Sequence, residues 1–140
     1  HGCAVSDSHF KMPKVNLNTK DLYKNDFNTF KNNSAKLAMT AHILYNKIDN
    51  KNVATFSKKI IKDIIRKKIG YNGIIMSDDI SMKALKYDLI TNAKKSLEAG
   101  CNLVLYCAGN INDNLKLIKS VPYIDKFTLK KTSEIYKILR

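Results

Sequence analysis

The chain has 140 residues, 44% of them hydrophobic, and a formal net charge of +13. That length suits one domain with a real core, and that apolar content argues against disorder. No apolar run reaches the length of a membrane span and no secretion signal is visible, so the expectation is a soluble, cytoplasmic protein with no membrane partner.

In chain order, residues 1–18 read as loop, with Pro13 among several polar residues. From Thr19 to about Lys31 the apolar positions Tyr23, Phe27 and Phe30 recur at helical spacing. "KLAMTAHI" (36–43) is a short apolar run and predicts a buried strand, followed by a loop. Ser57 is placed to cap a helix in which Ile60, Ile61, Ile64 and Ile65 form one stripe, and Gly70 suits the position just past its end. That stripe is most simply core.

The pattern then repeats. "GIIMS" (73–77) predicts a second buried strand, running straight into Asp78-Asp79. A helix over Leu89–Ala99 ends at Gly100, and "NLVLYC" (102–107) predicts a third strand. Helical stretches around Asn112–Lys119 and Thr128–Leu139 close the chain. Helices alternating with strands that are apolar on both faces indicate an α/β fold with a parallel sheet. Three strands do not close an eight-stranded barrel, which takes about 250 residues. The chain is therefore either a small open α/β domain or the later part of something larger.

The basic charge invites a nucleic-acid role, but lysine supplies nearly all of it, and Arg66 and Arg140 are the only arginines. Base-edge and bidentate phosphate recognition use arginine's planar fork. The lysines come as scattered pairs such as Lys58-Lys59 and Lys94-Lys95, which reads as a solvated face, with no nucleic-acid partner. Cys3, Cys101 and Cys107 lack disulfide or zinc spacing, and the histidines are wrongly spaced for zinc. Free thiols in a reducing compartment, with no metal and no cofactor, are expected.

In parallel α/β folds functional groups gather at the C-terminal ends of strands. Here those ends read Met39-Thr40-Ala41-His42, Ser77-Asp78-Asp79 and Tyr106-Cys107. Two acids after an apolar strand suit a nucleophile or a general base. They suit equally the capping of the following turn, "ISMKAL", and on spacing alone capping is favoured. Asp7-Ser8-His9 sets a carboxylate one residue from an imidazole, which can orient the ring.

Four segments occur in order: "HGCAVSDSHF", "MTAHILY", "GYNGIIMSDDISMKAL" and "AGCNLVLYC". Together they resemble the C-terminal half of the catalytic barrel in glycoside hydrolase family 3 β-N-acetylhexosaminidases of the peptidoglycan-recycling type. That family shows a Lys-His-Phe-Pro-Gly-His-Gly element, four further residues and then Asp-Ser-His. His1-Gly2 match the end of the first element, and Cys3 to Ser6 match the spacer. The resemblance covers essentially the whole chain and implies one partial catalytic domain over residues 1–140, with about three of the eight parallel strands of a (β/α)8 TIM-type barrel.

The resemblance also implies roles. Asp78 matches the nucleophile that attacks the anomeric carbon of a terminal N-acetylglucosamine. His9 matches the general acid/base and Asp7 its partner, in place of the usual second carboxylate of retaining glycosidases. His1, Met39 and His42 would border the sugar, although a structural strand-end role for His42 is an equal alternative. The implied partner is an N-acetylglucosamine-containing muropeptide, with water, or phosphate in its place, as acceptor. Family residues ahead of His1, including the substrate clamp, lie outside this sequence. The expectation is that the chain alone is inactive or nearly so, and that it associates with an upstream barrel half or with itself. The readings that compete are an inactive fragment kept as a folded interaction module and a basic nucleic-acid-binding α/β domain.

Overall fold

In the computed structural model, which describes residues 2–139, three parallel strands form the central sheet: β2 (Leu37–Met39), β4 (Ile74–Asp79) and β5 (Leu103–Leu105). They lie in the order β2-β4-β5, so each strand sits beside the next one that the sequence supplies. Leu37 pairs with Ile74 and Met39 with Met76, and β5 joins at Met76 and Asp79 with one register irregularity between them. Ile74, Ile75 and Ser77 are fully buried, as expected of a strand covered on both faces. A second, two-stranded parallel sheet pairs β1 (Lys14–Val15) with β3 (Leu44–Tyr45).

The helices cover one face of the central sheet. Ile75 of β4 packs with Ile61 from the helix Lys59–Lys68, and with Ala99 and Cys101 at the end of α2 (Leu89–Ala99). Asp88 caps α2 by accepting the Thr91 N–H at 3.0 Å. Gly100 ends α2 in the left-handed region at φ +119°, where a Cβ would lie 3.0 Å from Ile61 Cγ2. A glycine is required there on both counts. After β5 come α3 (Ile111–Ser120) and α4 (Lys126–Ile138), capped by Asn110 and Asp125 respectively.

Four differences from the sequence reading have local causes. The 1–18 loop contains β1, because the Leu44 N–H bonds to the Pro13 carbonyl and the Asn46 N–H to that of Val15. The 19–31 helix divides into α1 (Thr19–Asn25) and a 3-10 turn, Phe27–Phe30. The Thr29 hydroxyl and N–H both take the Asp26 carbonyl, at 2.6 and 3.3 Å, and so tighten the turn. The 36–43 strand ends at Met39, and a tight Ile43 N–H to Ala41 carbonyl bond of 2.8 Å redirects the chain into β3.

The isoleucine helix, fourth, is wound i→i+5 rather than as an α-helix, as the Ile69 N–H to Ile64 carbonyl bond shows. Ile60 and Ile64 face a core with Val15, Leu22, Phe27 and Ile43, while Ile61 turns to the central sheet. No described helix is long and apolar enough to cross a membrane.

Candidate active site

Strand β4 carries Asp78 and Asp79 to its C-terminal end, and the two carboxylates are used differently. Asp79 accepts from the Ser81 hydroxyl at 2.7 Å, the Ser81 N–H at 3.0 Å and the Cys107 N–H at 3.2 Å. It therefore closes the turn after β4 and ties the end of β4 to that of β5. Burial pushes its carboxyl pKa up, but the Ser81 and Cys107 bonds and the nearby His42 outweigh this and hold it below the ordinary range. Asp78 is half-buried, and its carboxylate accepts only its neighbour's N–H, that of Asp79 at 2.8 Å, among the described residues. One acid is committed to structure and the other is free.

Behind this strand end lies His42. It is fully buried, and both ring nitrogens are engaged: Nε2 lies 2.9 Å from the Asp79 carbonyl oxygen and Nδ1 2.8 Å from the Thr55 hydroxyl. The Thr55 hydroxyl also meets that of Thr40 at 2.9 Å. Burial lowers the His42 pKa, against the opposing effects of the Asp79 carbonyl bond and the Asp78 and Asp79 charges. The imidazole thus sits within the protein, with no face turned to a ligand.

The Asp7–His9 pair forms in a tight turn in which Asp7 accepts the N–H groups of Phe10 and Lys11 on its carbonyl. Asp7 Oδ1 receives the His9 N–H at 2.9 Å and lies 2.8 Å from His9 Nδ1, so Nε2 of the ring is left outward. The His9 backbone bond, followed by the ring bond, holds the Asp7 carboxyl below its ordinary pKa, and both side chains remain well exposed. Between them Ser8 is fully buried. Its hydroxyl meets Met82 Sδ at 3.8 Å and its carbonyl accepts the Ala84 N–H at 3.2 Å. The turn that carries His9 is therefore pinned to the segment that follows Asp78-Asp79.

Met39 ends β2 and is 52% exposed, with Leu37 of the same strand 48% exposed on the sheet face away from Ile75. His1 lies outside the described residues. No group of three or more metal-ligating side chains comes together among the described residues. The sequence gave no sign of Thr55, Ser81, Cys107 or Ser8 as parts of this region. Thr40 alone could have been read, as a hydroxyl two residues from His42 at a strand end.

Residues 1–132 match the model of the glycosyl hydrolase family 3 N-terminal domain. The chain belongs to glycosyl hydrolase family 3. A β-hexosaminidase from Actinobacillus succinogenes is 34% identical over 136 residues, and one from Methylobacillus flagellatus 36% over 112. These alignments cover 89% and 76% of this chain but 39% and 32% of the relatives, so the chain spans about two fifths of the length of the curated relatives it matches. Among solved structures, NagZ from Neisseria gonorrhoeae in complex with N-trifluoroacetyl-D-glucosamine superposes with a TM-score of 0.79 at 26% identity. That match covers 95% of this family 3 chain and 39% of NagZ. CbsA from Thermotoga neapolitana gives 0.80 at 27% identity, covering 99% and 34%. The α/β fold with parallel strands is thus that of part of a family 3 glycosidase barrel.

Proposed function

We propose that this family 3 chain carries the nucleophile and the acid/base of a retaining β-N-acetylhexosaminidase that removes terminal N-acetylglucosamine from muropeptides in the cytoplasm. The observation that carries this reading is the division of labour at the end of β4. Asp79 is bonded three times to its own loop and to β5, while Asp78 keeps its carboxylate free beside the pinned Asp7–His9 turn.

The chemistry follows from those groups. Protonated His9 gives its proton to the glycosidic oxygen as Asp78 attacks the anomeric carbon, so the leaving sugar departs neutral and a glycosyl ester forms. Neutral His9 then takes a proton from water, whose oxygen attacks the same carbon and releases Asp78 as carboxylate. Imidazole titrates near neutral pH without the apolar pocket that a carboxylic acid needs for the same task. Asp7 orients the ring through Nδ1 and leaves Nε2 for the proton transfer. Met39 borders the sugar from β2. Sugar clamping rests with barrel segments that the relatives have and this sequence lacks, and positioning of that kind accounts for much of an enzyme's rate.

The test is hydrolysis of a chromogenic N-acetylglucosaminide by the chain alone and after mixing with the upstream barrel segment of a relative. Turnover is expected in the mixture, with retention of anomeric configuration, and is lost in Asp78→Ala. Activity that survives Asp78→Ala refutes the nucleophile assignment. A well-folded mixture without turnover favours an inactive interaction module instead. Faster release with phosphate than with water would assign phosphorolysis.

A further inference from the structure

We propose that His42 is a positioning residue that holds the Asp78 carboxylate through the backbone of Asp79. The inference rests on the reading of Asp78 as nucleophile, and it starts from hydrogen-bond bookkeeping. A carbonyl oxygen only accepts, so the 2.9 Å contact with the Asp79 carbonyl requires a proton on His42 Nε2. In the neutral ring Nδ1 then has a lone pair, and the Thr55 hydroxyl at 2.8 Å must donate to it. With its proton directed there, the Thr55 oxygen accepts from Thr40 at 2.9 Å. The order of donation is Thr40 to Thr55, Thr55 to His42, and His42 to Asp79.

The far end of that order is what matters to the site. The Asp79 carbonyl is gripped by His42, and the Asp79 N–H, one residue unit back along the chain, donates to Asp78 Oδ1 at 2.8 Å. The Asp79 side chain is bonded to Ser81 and to Cys107. Asp79 is thereby held at its carbonyl and at its carboxylate, which leaves its N–H with one direction, toward Asp78. The full burial of His42 rules out direct contact with a sugar but suits this role. Burial also keeps the ring neutral, as the donation order requires. A fixed donor on a nucleophilic carboxylate selects which oxygen attacks, a form of preorganisation that costs nothing at the moment of reaction.

The test uses the full chain, uniformly labelled with nitrogen-15. Long-range proton–nitrogen correlation reads the tautomer directly, and the expected signature at His42 is a protonated Nε2 with an unprotonated Nδ1 between pH 6 and 8. Thr55→Val removes the donor to Nδ1 and should shift that signature. Exchange of the Asp79 amide is expected to accelerate about ten-fold in His42→Phe, the effect of losing one buried hydrogen bond. His42→Gln, which returns a donor near the position of Nε2, should restore most of the protection. The Ile64 amide in the isoleucine helix serves as a folding control and stays protected throughout.

A protonated Nδ1 in the unmodified chain, or an Asp79 amide indifferent to His42→Phe while Ile64 is protected, overturns the proposal. In the barrel-completed mixture, His42→Phe should lower kcat with little change in KM, and His42→Gln should recover part of it. If the mixture shows no turnover yet the amide and tautomer results hold, the glycosidase reading fails and the positioning of Asp78 stands.

Discussion

Replacing each strand-end acid in turn should separate their roles by stability alone. Asp79→Ala deletes three hydrogen bonds to an ionised acceptor, from the Ser81 hydroxyl, the Ser81 N–H and the Cys107 N–H. Such bonds are worth roughly 1.5–3 kcal/mol each when buried. Asp79 is only partly buried, so water recovers much of each, and about 2 kcal/mol in total is the reasonable loss. Asp78→Ala removes a single acceptor for an N–H at a partly open strand end, and the change should stay within about 0.5 kcal/mol. Urea unfolding followed by circular dichroism would read the difference as a midpoint lowered by about 1 M in Asp79→Ala and nearly unmoved in Asp78→Ala. The pH dependence has a definite sign. The folded pKa of Asp79 lies below its ordinary value, so its stabilisation is full above that value and is lost as pH falls through the folded pKa. Asp79→Ala should therefore flatten the acid limb below about pH 4. Equal destabilisation by the two variants, or a larger loss in Asp78→Ala, would refute the assignment of one structural and one free carboxylate.

Arg66→Lys should destabilise the chain by about 2 kcal/mol, read in the same urea experiment, because a lysine cannot replace the guanidinium fork. That fork donates to the Tyr71 and Gly73 carbonyls and to Asn102 Oδ1, at 3.0, 2.7 and 2.7 Å. Gly100→Ala should lower the melting temperature by several degrees, since about 1–2 kcal/mol is lost to the left-handed φ and to crowding against Ile61. Asp7→Asn should leave the melting temperature unchanged, as both members of the pair are exposed, while lowering kcat of the barrel-completed protein; an unchanged kcat would remove Asp7 from the acid/base assignment.

The strands and helices visible in the sequence are those set by local chemistry. Leu89–Ala99 is bounded by an aspartate cap and a left-handed glycine, and its limits could be read to the residue. The β4 run announced itself as an apolar stretch ending in two acids. What could not be read depended on partners distant in sequence. β1 is a strand only because Leu44 and Asn46 arrive beside it, and β2 ends early because the chain turns at Ala41–Ile43, beside a buried His42. The same limit applied to the two acids. Alternation along β4 could not say which carboxylate was free. That depended on Ser81 and on the Cys107 N–H, 28 residues further along.

The two halves of the candidate site differ in how much they owe to the rest of the protein. The Asp7–His9 pair is made by residues two apart, in a turn that supplies its own bonds, and it needs the fold only at Ser8 to be held beside Met82 and Ala84. Asp78 needs the whole sheet: β5 to anchor Asp79, and β2 with the Thr55 turn to place His42. Acid/base geometry can therefore persist through local change, whereas nucleophile geometry depends on three strands remaining in register. The exposed Leu37 and Met39 lie on the face that further barrel strands would cover. Completing the barrel should consequently sharpen Asp78 and the substrate pocket far more than it alters the Asp7–His9 pair, which places the missing catalytic power in positioning and not in the proton-transfer groups.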